Sequence, residues 1–289
     1  MLSKIRTACP VTSTSRHLTN LHRARMLFRE GDDVLIRLAV EDSLDRLAAV
    51  NRSFDHAIAL FGRTALLADA LSNSQQIGEV QRIEETIHLG EADRIATPDS
   101  LGLAPESTDC VIAPLSLHFA EDLPGSLIQI QQALRPDGLL LASLPGPETL
   151  KELRAVLLHA ESDLTGGAAA RVDAFTDIRD AGALLQRCGF ALPVVDAETL
   201  TLRYDNLSGL MRDLRRFGAT SRIAAPSLSR RTLERANELY AQNHADPDGR
   251  IRASFQTISM SGWKPHASQQ KPLAPGSAQV SLTKVLSSK

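Results

Sequence analysis

Aromatic side chains are scarce. The 289 residues include eight Phe, two Tyr and one Trp, so the core has to be built mostly from Leu, Ile, Val and Ala. Cysteine is scarcer: Cys9, Cys110 and Cys188 are odd in number and far apart. That excludes a CxxC pair, a disulfide framework and a zinc ribbon, and points to a reducing compartment. No apolar run approaches the ~20 residues needed to cross a bilayer, so no transmembrane segment is expected. Charge of one sign is also lacking, with 32 Lys+Arg against 34 Asp+Glu and a net charge of −2. A chain this balanced is not built around a bulk electrostatic grip on nucleic acid, and none is expected as a partner. There is no GxSxG elbow, no P-loop and no HExxH, and no metal site is expected.

What is present is the composition of a globular protein, with 43% hydrophobic and 23% charged residues and length for one large or two small domains. Residues 1–29 hold six Lys/Arg and no acid, and residues 1–30 read as a basic, flexible N-terminus. This suits a bacterial cytoplasmic protein first, and a mitochondrial matrix protein with a transit peptide as the alternative. With no apolar h-region, a secretory signal is not expected.

Apolar periodicity predicts a helix over 32–50, capped by Asp32 or Asp33. Strands are predicted at 54–61 and 77–83, near 93–97, at 109–119 and at 139–144, with a helix at 65–72. Asp122 followed by Pro124 opens a further helix, and Arg135-Pro136-Asp137-Gly138 reads as a turn. Helices are expected at 148–160 and 177–188, the latter ended by Gly189. Continuous apolar strands alternating with helices, as far as about residue 204, predict a parallel sheet covered on both faces. Then helices at 206–218, stopped by Gly218, and 229–243, capped by Ser229, interrupt the sheet before a last strand at 253–264. The tail from Pro265 is expected to be extended. The organisation read from this is a core over 31–205, a helical cap over 206–245, the core's last strand over 246–264 and a tail over 265–289.

Three constellations could carry chemistry. In an open α/β sheet, ligands bind beyond the carboxyl ends of the strands. There the turn Leu60-Phe61-Gly62-Arg63-Thr64 follows the first strand, and Glu84 lies 22 residues after Gly62, where an acid can accept from ribose hydroxyls. The alternative is that Gly62 only turns the chain and Glu84 is a surface acid. His118 falls at the end of the predicted fourth strand, either as an acid–base catalyst or as a packed residue. Residues 203–235 carry eight Arg, among them Arg212, Arg215 and Arg216, against three acids. They could receive an acidic substrate or protein surface, or form a solvated helix face.

The order of elements resembles a class I S-adenosylmethionine-dependent methyltransferase. The stretches SLHFAEDLPGSLIQIQQALRPDGLLLASLPGPETLKELRAVLLHAE, LLQRCGFALPVVDAETLTLRYDNLSGLMRDLRRFGAT and FQTISMSGWKPHASQQKPLAPGSAQVSL resemble the family of mitochondrial complex I assembly factor 5 and its bacterial relatives. That family is itself similar to the biotin-synthesis malonyl-carrier-protein O-methyltransferase. The resemblance covers roughly residues 18–285. It implies a Rossmann-like, doubly wound, seven-stranded, mostly parallel sheet with the last strand antiparallel, and a helical cap on the substrate side. It implies an S-adenosylmethionine pocket at Phe61, Gly62, Arg63, Thr64, Glu84, Asp99, Ala113 and Leu115.

The cofactor turn departs from the family's DLGxxTG pattern: the acid is Ala59, the first glycine is Phe61 and the last is Ala65. A non-glycine residue at positive φ costs ~1–2 kcal/mol, and a lost charge-assisted hydrogen bond ~1.5–3 kcal/mol. Together these are ~3–5 kcal/mol, or ~100- to 5,000-fold in affinity. Arg63 could compensate by pairing with the cofactor's carboxylate. Three functions follow from residues and resemblance together. The first is a methyltransferase in which His118 orients or deprotonates the acceptor. The second is an assembly factor of the arginine-hydroxylase type, acting on an iron–sulfur subunit of respiratory NADH dehydrogenase. The third is a non-catalytic binding module.

Overall fold

The computed structural model describes residues 34–89, 91–217, 219 and 227–269. Seven strands form one sheet: β1 (Phe54–Leu60), β2 (Ile77–Glu84), β3 (Arg94–Ile95), β4 (Thr108–Ala113), β5 (Leu134–Pro145), β6 (Ala191–Tyr204) and β7 (Ile251–Trp263). Their order is β3-β2-β1-β4-β5-β7-β6. β1 to β5 run parallel, and β7 is antiparallel to both β5 and β6. The expected parallel centre and antiparallel last strand are therefore present.

The central strands look uniformly apolar because both faces are covered, and alternation splits each strand between two cores. In β1, Ile58 and Leu60 face one core while Ala57 and Ala59 face the other. In β5, Leu140, Ala142 and Leu144 join the first core, and Leu139 and Leu141 the second. Helices α1 (Val34–Ala48) and α2 (Leu66–Ser72) cover one face, and α3 (Leu123–Ala133) and α5 (Ile178–Arg187) the other. A third apolar cluster joins α4 (Lys151–Thr165), α6 (Leu207–Arg216) and α7 (Arg230–His244) to the adjoining ends of β6 and β7.

Helix ends follow side-chain chemistry. Asp122, Asp177, Asn206 and Ser229 each accept backbone N–H groups at a helix start. Gly189 takes the left-handed φ of 83° after α5. α1 is fastened to the sheet by Arg46, which donates to both carboxylate oxygens of Asp196 at 2.7 and 2.9 Å.

Three expected elements differ. The strand expected over 109–119 stops at Ala113, because Pro114 has no N–H to give the ladder and Leu115 turns the chain at φ 43°. His118 then sits in a 3₁₀ turn, Leu117–Phe119, rather than at a strand end. The turn expected at Arg135–Gly138 is an irregularity inside β5, where the register with β4 shifts between Thr108 and Cys110. Asp137 takes φ 65° there, held by Arg52 through both its carboxylate and its carbonyl. The helix expected from residue 148 begins at Lys151, because Gln256 draws the preceding segment toward β7. Its side-chain oxygen accepts from Glu148 N at 3.2 Å, and its carbonyl accepts from Thr149 Oγ1 at 3.0 Å. The caps at Asp32 or Asp33, the stop at Gly218, residues 1–30 and the tail beyond Gln269 lie outside the described residues.

Candidate functional site

The turn after β1 lies at the carboxyl mouth of the parallel strands, where ligands of such sheets bind. Phe61 continues the pairing, donating its N–H to Ile83 O at 2.8 Å, but at φ 53°, and Arg63 follows at φ 62°. The left-handed positions of the turn are thus the two bulky residues. Gly62 lies between them, and a Cβ there would make only ordinary contact with Leu67 and Thr64. The phenyl ring of Phe61 is 1% exposed and packs into the core.

Arg63 is 9% exposed. Its guanidinium donates to the carbonyl of Phe217 at the end of α6, and to Leu115 O at 2.8 Å. It lies 5.5 Å from the centre of the Phe119 ring. Its backbone N–H donates to Glu84 at 3.2 Å. Glu84 ends β2 and is wholly buried, not a surface acid. It also accepts from Arg82 Nε at 3.1 Å. Burial pushes its pKa up to about 7, against the pull of Arg82 and the Arg63 N–H. Among Phe61, Arg63, Glu84, Leu89, Ser116 and Phe119 there remains a cavity of only about 10 Å³, room for roughly one water.

The other expected cofactor positions do not converge on that space. Asp99 accepts the backbone N–H groups of Glu121 and Asp122 at 2.8 and 3.0 Å, and so shapes the entry to α3. Ala113 is fully buried in β4, paired with Ala142. Thr64 accepts weakly from Leu66 N at 3.4 Å. Leu115 is drawn in through its backbone, donating to Ser143 Oγ at 3.0 Å and accepting from Arg63.

A larger cavity of about 140 Å³ opens beside Arg63 beneath α6. An apolar space near 150 Å³ holds benzene, whereas drug-sized ligands occupy ~300 Å³ or more. This one therefore fits a single side chain. Its walls include Leu115, Phe119, Phe217 and Phe255, with His118 and Asp173 among the polar groups. The half-buried His118 ring lies 3.8 Å from that of Phe119. A buried ion pair holds the segment that carries Asp173. Arg171 donates to Glu161, whose carboxylate also accepts from Ala169 N at 3.2 Å. Sequence reasoning missed Glu161, Arg171, Asp173 and Gln256. The Glu161–Arg171 pair spans a Gly-Gly-Ala-Ala-Ala linker with no motif to announce it.

The arginine cluster is less cationic than its sequence window implies, because acids from outside that window answer it. Arg203 pairs with Asp246 and Asp248, and Arg235 with Asp163 and Glu238. Arg230 pairs with Glu234, and Arg216 with Asp213 at 3.6 Å. Arg212, Arg215 and Arg231 are exposed. Arg222 is outside the described residues.

The methyltransferase domain family matches residues 64–142. A Dictyostelium discoideum protein named arginine-hydroxylase NDUFAF5, mitochondrial, is 40% identical over 187 residues, which are 64% of this chain and 43% of that protein. The Homo sapiens protein of the same name is 34% identical over 252 residues, 82% of this chain and 72% of that protein. This chain belongs to the arginine-hydroxylase NDUFAF5 family. The match spans less than two thirds of the Dictyostelium discoideum and Danio rerio relatives, 43% and 59%. A malonyl-[acyl-carrier protein] O-methyltransferase from Methylovorus is 36% identical over 172 residues, 58% of this chain and 55% of that protein. The solved YcgJ protein of Bacillus subtilis superposes with a TM-score of 0.51 at 16% identity, over 78% of this chain and 99% of that one. The chain thus has the fold of the S-adenosylmethionine-dependent methyltransferases. In this member of the NDUFAF5 family, however, the residues of the usual cleft do not fit the nucleoside. Phe61 and Arg63 fill the turn, Glu84 is already bound by Arg82 and Arg63, and the remaining space is about 10 Å³.

Proposed function

We propose that the cavity beneath the cap receives one arginine side chain of a partner protein, and that the chain is an arginine hydroxylase-type factor that needs dioxygen and a two-electron reductant as co-substrates, one oxygen atom entering the arginine C–H bond and the other leaving as water. The observation that carries this is the cavity. It has the volume of one side chain, about 140 Å³, and lies at the mouth of the sheet in a chain whose relatives are named arginine hydroxylases. Aromatic walls suit the methylene stem and flat guanidinium of arginine, and Asp173 supplies a carboxylate on a lining that also includes Arg63 and Arg171, each of which is engaged by its own acceptors. The cap and the Glu161–Arg171 pair exclude water and fix the wall. His118 is the group we assign to hold or pass a proton at the bound side chain.

The partner would be an acidic protein surface met by Arg212 and Arg215, with Arg216 beside them. The iron–sulfur subunit of NADH dehydrogenase, implied by the resemblance, is the first candidate. The relatives are named mitochondrial, which supports the mitochondrial matrix as the compartment; the bacterial cytoplasm is the other one we propose. Among the described residues no helix is long and apolar enough to cross a membrane, and no group of three or more His, Cys, Asp or Glu could hold a metal ion.

A second reading, methyl transfer from S-adenosylmethionine, is favoured by the position of Glu84 at the end of β2 after a strand–turn–helix. Mass spectrometry of partner proteins from cells with and without the gene separates the readings. An arginine that carries one added oxygen atom only when the gene is present supports hydroxylation. An added methylene supports methyl transfer. Identical peptides from both cells leave the binding-module reading and refute catalysis.

A further inference from the structure

We propose that Arg63 closes the cofactor cleft of this chain from within and latches the cap to the sheet, so that nucleoside uptake and cap closure exclude one another. Three segments meet on this side chain. The turn after β1 supplies it, the loop after β4 accepts from it through Leu115 O, and the end of α6 accepts from it through Phe217 O. The last carbonyls of a helix lack intrahelical donors and carry the negative end of its dipole, so a guanidinium placed there satisfies both. The left-handed φ of 62° at Arg63 aims the side chain across the mouth. The same residue's N–H occupies the Glu84 carboxylate that a ribose would otherwise approach. A ligand entering the cleft has to move the guanidinium, which strips both carbonyls of their donor and frees the end of α6. The latch stands whichever side chain the neighbouring cavity receives, and so is independent of the proposed reaction.

The test uses the full chain, wild type and Arg63→Ala, with two readouts. The first is calorimetry with S-adenosylhomocysteine, and the second is amide hydrogen exchange along α6. Wild type should show no binding heat at roughly 1 mM ligand, while Arg63→Ala should bind measurably, at least about tenfold tighter. Exchange at Leu214 to Phe217 should be about tenfold faster in the variant. Arg63→Lys keeps the cation but loses the fork, so its exchange should fall between the two, which keeps the test intact should Arg63→Ala not fold. Wild-type binding at tens of micromolar overturns the proposal, as does α6 exchange unchanged in both variants. A loosened cap with still no ligand binding overturns the exclusion.

Discussion

Replacing Glu84 by Gln should change how the fold responds to pH. The carboxyl is fully buried. Desolvation raises its pKa from the ordinary 4.5 to about 7, although Arg82 and the Arg63 N–H favour the charged form. Between those values the folded protein keeps a proton that the unfolded chain has released. Stability from this group is therefore greatest below 4.5, falls as pH climbs toward about 7, and is level above that. Carried through the linkage relation, the loss between about pH 5 and about pH 8 is roughly 2–3 kcal/mol. Glu84→Gln keeps the shape and an acceptor for the Arg63 N–H but has no proton to release, so this part of the slope vanishes. Urea unfolding of both proteins at both pH values gives a double difference in which other titrating groups cancel. A double difference below about 1 kcal/mol would refute the assigned burial of Glu84 as a protonatable group.

Other substitutions test the rest of the site. Leu153→Trp, from a 5% exposed position on the cavity wall, should abolish arginine modification in the mass-spectrometric assay while costing no more than about 1–3 kcal/mol in unfolding. Glu161→Ala removes the partner of the half-buried Arg171 and should destabilise by about 1–2 kcal/mol in urea unfolding, with faster exchange across residues 169–173. His118→Asn should lower the yield of modified arginine by about 100-fold or more without shifting the unfolding midpoint. Arg212→Glu with Arg215→Glu should weaken partner binding and flatten its salt dependence, read by titration at low and physiological ionic strength.

The sheet was legible because β1, β4 and the 139–144 part of β5 are short apolar runs separated by helices, the pattern of a parallel sheet covered on both faces. Helix starts were legible wherever a side-chain cap was present, as at Asp122 and Ser229. One error passed over a local signal, Pro114, which ends β4 at Ala113, and the other two came where a long-range partner overrode local chemistry. Arg52 holds Asp137 inside β5 where Pro136 and Gly138 suggest a turn, and Gln256 delays α4. In the site, the substitutions at Phe61 and Ala65 pointed to a crowded turn, but not to where the Arg63 side chain would go. Its partners are carbonyls at Leu115 and Phe217, and a carbonyl leaves no trace in residue identity. The arginine window misled in the opposite direction, because Asp163, Asp246 and Asp248 answer it from outside its limits.

Crystals of the full chain grown with saturating S-adenosylhomocysteine and an arginine-containing peptide bring ligand and pocket together directly. The expected map shows the arginine side chain between Phe119 and Phe217, with the Arg63 guanidinium still on the Phe217 carbonyl. An adenosyl group hydrogen-bonded to Glu84, with Phe61 and Arg63 displaced from the turn, would contradict it.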